Sequence, residues 1–253
     1  MSRIKHYIFI PVLIILTMGL FNKCKQNQTF ESDKFTTGSN KTLTITFLKH
    51  ASLMMSLDNF VIYLDPVSKQ DDITIDFSVL PKADLILVTH EHFDHLDTAA
   101  IKILSKDGTR VYASKNAAMQ VGNANALKPG DNVVINDVVS FRTVPAYNIS
   151  PEQLKFHPKD RGDIGFVITL DDKNIYVPGD VEDIPEMASL SDIDIAFIPV
   201  NQPYTMKIEQ AVRAAKMINP KILYPYHFSD TDINELVNLL SDTQIEVRIR
   251  NMQ

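Results

Sequence analysis

Polar and apolar residues alternate from Thr42 to Phe47, the period-2 mark of a strand with one wet face. Apolar stretches at 53–57 and 60–64 flank Asp58-Asn59 and predict a hairpin. Residues 84–88 form a short apolar run, suited to a strand buried on both faces. Residues 98–104 read as a helix stopped by Asp107-Gly108; 110–113 return as a strand and 117–121 as a short helix. Two further hairpins are expected from 133–135 with 138–144 and from 164–170 with 175–177. Beyond Asp192 the rhythm changes. Strands at 193–198, 222–224 and 245–249 alternate with helical spacing over 208–218 and 233–240. The economical arrangement is an α/β protein of two sheets covered outside by helices.

Residues 1–26 do not fit this rhythm. Arg3 and Lys5 precede an uncharged, mostly apolar stretch from Tyr7 to Phe21, and Cys24 follows directly. Fifteen residues are short for a membrane span but suit a signal or anchor segment. The lone cysteine after such a stretch resembles a bacterial lipoprotein signal, although Lys23 stands where a small residue is expected. The segment predicts export, membrane association through the N-terminus, a cell-envelope location and possible lipidation at Cys24. Residues 27–41 are polar and read as a linker, with one domain over 42–253.

The chain has 253 residues and a net charge of −6. Setting aside the four bases of the leader lowers Lys and Arg from 25 to 21, against 31 Asp and Glu. Such an acidic body argues against nucleic acid as a partner and leaves a small-molecule substrate. One cysteine excludes an intrachain disulfide and a metal site built on several thiolates. Any metal must be held by histidine and carboxylate.

Those residues concentrate in Thr89-His90-Glu91-His92-Phe93-Asp94-His95, directly after the buried strand at 84–88. In extended backbone His90 and His92 point the same way and can share one ion. Asp94 and His95, where the chain turns, can face a second. Imidazole and carboxylate suit Zn²⁺, with Mn or Fe as alternatives and one or two ions in the site. Distant ligands are needed as well. Asp180 follows the strand ending in Val177-Pro178-Gly179, and His227 follows Tyr224-Pro225-Tyr226. Both stand at strand ends, and an aspartate can bridge two ions.

With these residues in this order, the chain resembles the metallo-β-lactamase superfamily over nearly all of residues 42–250. Leu64-Asp65-Pro66, the His90–His95 motif, Pro178-Gly179-Asp180 and Pro225-Tyr226-His227 carry the resemblance. His50-Ala51-Ser52 brings it closest to the ascorbate-6-phosphate lactonase-like branch. The resemblance implies a four-layer αβ/βα sandwich, a metal site on the sheet edges and hydrolysis by a metal-bound hydroxide. It implies that Asp65 orients a ligand histidine from behind and that Asp94 also acts in catalysis. The family's third histidine of the first metal site normally follows the strand at 138–144. Here Asn148 occupies that place, and His157 lies nine residues on; both are candidates. The expected substrate is a lactone or phosphodiester. The departure at Asn148 motivates an alternative, a non-catalytic metal-containing envelope binding protein, and a nuclease is the third reading.

Overall fold

The computed structural model describes residues 28–70 and 73–252, so the leader and Cys24 lie outside the described residues. No helix among the described residues is long and apolar enough to cross a membrane.

In chain order the strands begin with β1 (Ser32–Thr36), β2 (Thr42–Lys49), β3 (Ser52–Leu57) and β4 (Phe60–Leu64). A small hairpin, β5 (Lys69–Gln70) and β6 (Ile73–Thr74), follows. Then come β7 (Leu85–Val88), α1 (Thr98–Leu104), β8 (Arg110–Ser114), α2 (Lys115–Val121) and β9 (Asn125–Leu127). The second half holds β10 (Asn132–Asn136), β11 (Val139–Pro145), β12 (Ile164–Leu170), β13 (Lys173–Val177) and β14 (Ile195–Pro199). It closes with α3 (Ile208–Ile218), β15 (Ile222–Tyr226), α4 (Asn234–Leu239) and β16 (Glu246–Val247).

Two seven-stranded sheets result, ordered β1-β2-β3-β4-β7-β8-β9 and β10-β11-β12-β13-β14-β15-β16. Each begins with antiparallel hairpins and ends in parallel strands joined through helices. The layering is written in β7. Leu85 and Leu87 join the large core shared with the second sheet, among Phe141, Ile168 and Ile175. Ile86 and Val88 face the other way and pack with Ala100, Ile101 and Leu104 of α1 and Ala117 of α2. A run apolar at every position therefore serves two cores. On the second sheet Ala211, Ala214 and Ala215 bring α3 close against the strands. The expected αβ/βα sandwich is the architecture found.

One expectation needs correction. Residues 32–36, read as linker, are an edge strand in antiparallel register with β2, Ser32 opposite Thr46 and Thr36 opposite Thr42. Phe35 is its sole large apolar residue, so the strand rests on backbone pairing and on charge. Asp33 accepts from Arg250, at 2.7 and 2.8 Å, and from Arg248, which ties the start of the domain to its end.

A candidate two-metal centre

Most candidate side chains stand at or shortly past the C-terminal end of a strand, while His157 comes from the long loop after β11. His50 follows β2, Asp65 follows β4, His90 follows β7 by two residues, Asp180 follows β13 by three, and His227 follows β15 directly. His50, Asp65 and His227 have positive φ, at 48°, 43° and 50°. These are uncommon angles for residues with a side chain, and they gather where the surroundings over-determine them. His50 donates its N–H to the carbonyl of Met252, and His227 donates its N–H to the carbonyl of His50. Gly179 has φ +69°, and a Cβ there would lie 2.8 Å from the Cβ of Thr89. Only glycine lets the turn before Asp180 approach the turn before His90 so closely.

Two groups of four side chains result, and within each group one donor atom per residue lies within 4.8 Å of the others. The first joins His90, His92, His157 and Asp180; the second joins His50, Asp94, His95 and His227. Asp180 also connects them. Its Oδ2 lies 3.2 Å from His157 Nε2, while its Oδ1 lies 3.1 Å from His95 Nε2 and 3.2 Å from His227 Nε2. Six of the eight residues come from the expected set. Of the two tentative additions the structure brings in His157 and leaves Asn148 out. The Asn148 side-chain amide instead donates to the carbonyls of Tyr204, at 2.8 Å, and Gln153, and its backbone N–H donates to the carbonyl of His157. The position where the resemblance expects a ligand therefore holds that ligand's loop.

The eighth residue, His50, stands in the sequence only as part of the His50-Ala51-Ser52 segment and was not among the expected ligands. The available signal was its place at the end of a one-face-wet strand, before the hairpin at Ser52. The loop carrying His157 is fixed from Glu182, which is fully buried. Its carboxylate accepts from the backbone of Ile149 and Ser150, the Ser150 hydroxyl and Gln210.

Carboxylates hold two of the imidazoles from behind. His95 Nδ1 donates to Asp65 Oδ2 at 2.8 Å, and Thr89 donates to the same carboxylate through its N–H and hydroxyl. His157 Nδ1 donates to Asp163 Oδ2 at 3.1 Å, and Arg161 Nε also donates to that carboxylate. Such contacts place a proton on Nδ1 and turn Nε2 inward, where a bound ion would take the place of its proton. The Nε2 atoms of His50, His90, His95, His157 and His227, together with Asp180 Oδ1, are buried without a hydrogen-bond partner. Their approaches to one another are short but do not meet hydrogen-bond geometry. Buried donors and acceptors are normally satisfied, so a convergent set left open fits a bound cation.

The balance of charge points the same way. Burial alone would raise the Asp180 carboxyl, but His227, His95 and His157 outweigh it and hold it well below the carboxylate range. Asp94 behaves likewise, with burial outweighed by His227 and His50. Burial opposes charge on His95, yet Asp180 and Asp65 raise it well above the usual histidine value. Burial and neighbouring His227 lower His50 to about 4. The cluster thus holds ionised carboxylates among crowded imidazoles that would repel one another if protonated. A divalent ion relieves both conditions and binds the neutral rings.

A model of the beta-lactamase superfamily domain matches residues 44–227. A UPF0173 metal-dependent hydrolase of Methanosphaera stadtmanae is 31% identical over 198 residues, covering 74% of this chain and 84% of the relative. A crystal structure of a protein described as a candidate metal-dependent hydrolase from Parabacteroides distasonis is 50% identical. It covers 89% of this chain and 100% of that one, with a TM-score of 0.85. The metallo hydrolase Igni18 of Ignicoccus hospitalis shares the fold at 23% identity and a TM-score of 0.69, covering 82% of this chain and 94% of its own. These matches carry the superfamily and not the narrower lactonase-like branch.

Proposed function

The chain belongs to the beta-lactamase superfamily and is a metal-dependent hydrolase, and from that premise we propose how its residues divide the work. His90, His92, His157 and Asp180 would hold one divalent ion, and His50, Asp94, His95 and His227 a second, with Asp180 within reach of both groups. Zn²⁺ is the proposed metal, since imidazole nitrogen and carboxylate oxygen donors suit it. Such ions supply a water of lowered pKa and polarise the bond to be cleaved. The observation that carries this reading is the set of buried, unpartnered imidazole nitrogens facing one another.

The protein's own residues do the rest. Asp65 and Asp163 keep the protons of His95 and His157 on Nδ1, so these rings meet an ion with a lone pair. Asp94 is the more open of the two carboxylates, its side chain 17% exposed against 3% for Asp180, and it lines the cleft above the site. Its Oδ2 faces His50 and His227, and we assign Oδ1 to orient the attacking water and receive its proton. In the net reaction water oxygen joins the acyl carbon or phosphorus, the bond to the leaving oxygen breaks, and that oxygen takes up the proton. A lactone or phosphodiester is the proposed target. Assay of zinc-loaded protein against both classes, with Asp94→Asn as control, tests the reading. Turnover lost in the variant supports it; turnover unchanged in the variant contradicts it.

For residues 1–26 we propose export and membrane anchoring, on the basic start, the apolar stretch and Cys24. Incorporation of labelled fatty acid that disappears in Cys24→Ala supports lipidation; labelling that persists contradicts it.

A further inference from the structure

Above the two ligand groups lies a cleft of about 300 Å³, at the lower end of the range for small-molecule sites. Its floor is the metal centre, with His50, His92, Asp94, His157 and Asp180 all reaching it. Its walls are aromatic. Phe156, one residue before His157, packs edge-to-face on Tyr204, ring centres 4.9 Å apart. Phe93 sits between His92 and Asp94; those two turn into the cleft floor, and Phe93 stands at its rim, 79% exposed. Tyr204 is 44% exposed. Scattered exposed apolar residues need no explanation, but three aromatic rings around one catalytic cleft form a surface that a ligand can cover.

Beside the candidate ligands, the polar lining is Gln70, Asn201 and Ser229. Asn201 donates to Ser229, and the Gln70 carbonyl accepts from Lys49. Among the described residues lining the cleft there is no lysine or arginine. The nearby Arg161 is turned to Glu91 and Asp163. The cation that touches these walls is Lys155, exposed, its Nζ 4.9 Å from the centre of the Phe156 ring, so a phosphate or carboxylate far from the scissile bond would meet aromatic rings and one solvated ammonium, which returns little of its lost hydration. The reacting group itself sits over the ions and is not restricted in this way.

Resting on the reading of this site as a two-metal hydrolase, we infer that the cleft selects substrates whose remote portion is an uncharged acyl or aryl group seated on Phe93, Phe156 and Tyr204.

Hydroxamates test this without turnover, because their head group binds metal and their tail can be varied. Calorimetric titration of the zinc-loaded protein compares acetohydroxamate, 4-phenylbutanohydroxamate and succinohydroxamate. The phenyl tail is expected to tighten binding at least about tenfold over the methyl, as burial of a ring allows. The carboxylate tail is expected to give no gain. In Phe156→Ala and in Phe93→Ala the ratio between phenyl and methyl compounds should fall to about threefold or less. Equal affinity for phenyl and methyl tails, or a preference for the carboxylate tail, would overturn the inference while leaving the metal centre intact. Failure of all three to bind a folded, zinc-treated protein would overturn the two-metal reading itself, and the inference with it.

Discussion

The two ligand groups are alike in number and burial but differ in how the chain builds them. The second, His50, Asp94, His95 and His227, takes two of its members from strand ends: His50 leaves β2 and His227 leaves β15 of the other sheet, and the two are joined by their own backbone, His227 N–H to the His50 carbonyl at 3.0 Å. The first takes His90 and His92 from one strand exit but depends for His157 on a loop. That loop is ordered by Glu182 from below, Asn148 from inside and Asp163 behind the ring. A strand end fixes a ligand through the sheet's own hydrogen bonds. A loop ligand needs dedicated polar supports, and those supports are where the first group can be weakened selectively.

The largest effect should come from the residue the groups share. Asp180→Ala removes a carboxylate that touches both, so it should lower bound metal in both and reduce hydrolysis by roughly a thousandfold or more, beyond the 10–100-fold typical of an outer partner. Elemental analysis after dialysis, with steady-state rates, checks this; near-native metal content would refute the bridging position.

Next in size is a pair that separates ligand from loop support. His157→Ala should cost about one ion per chain, whereas Asn148→Ala should keep both, since the backbone link from Asn148 to His157 survives the change. The opposite pattern would restore Asn148 to the ligand set.

These contrasts follow what could be read in advance. The motif from His90 to His95 was legible because its geometry is local: alternation in extended backbone puts His90 and His92 together whatever the rest of the chain does. Asp180 and His227 were legible as polar residues ending apolar strands. His157 was legible only as one of two candidates beside Asn148, because its direction depends on a loop whose anchors, Glu182 and Asp163, lie far along the chain or look like ordinary turn residues. His50 was half legible: its position was plain, but a left-handed backbone at 48° sets where its ring points. Most strands of both sheets emerged from periodicity, as did α1 and α3 at the residues expected, but the short edge strand β9 did not. The edge strand β1 did not, since Ser32-Asp33-Lys34-Phe35-Thr36 has too little apolar content to show a period.

A smaller effect is expected behind the rings. Asp163→Asn should weaken metal in the first group, and Asp65→Asn in the second, each by about 10–100-fold in affinity. Competition with a chromophoric chelator resolves the two. Loss in the wrong group, or none, would detach these carboxylates from the histidines they touch.

The smallest is a pH effect on metal-free protein. Burial opposes charge on His157, but Asp163 and Asp180 raise it to about 8 from 6.5. A raised value means that the protonated ring stabilises the fold fully below about 6.5, and that this contribution fades as pH rises through about 8. Urea unfolding of chelated protein should show stability falling across that window, and the fall should shrink in His157→Gln. A flat profile, or an unchanged one in the variant, would contradict the assignment.

Anomalous diffraction from zinc-soaked crystals tests the central claim most directly. Two peaks are predicted, one ringed by His90, His92, His157 and Asp180 and the other by His50, Asp94, His95 and His227. A single peak, or a first-site ion coordinated by Asn148 with His157 turned away, would contradict it.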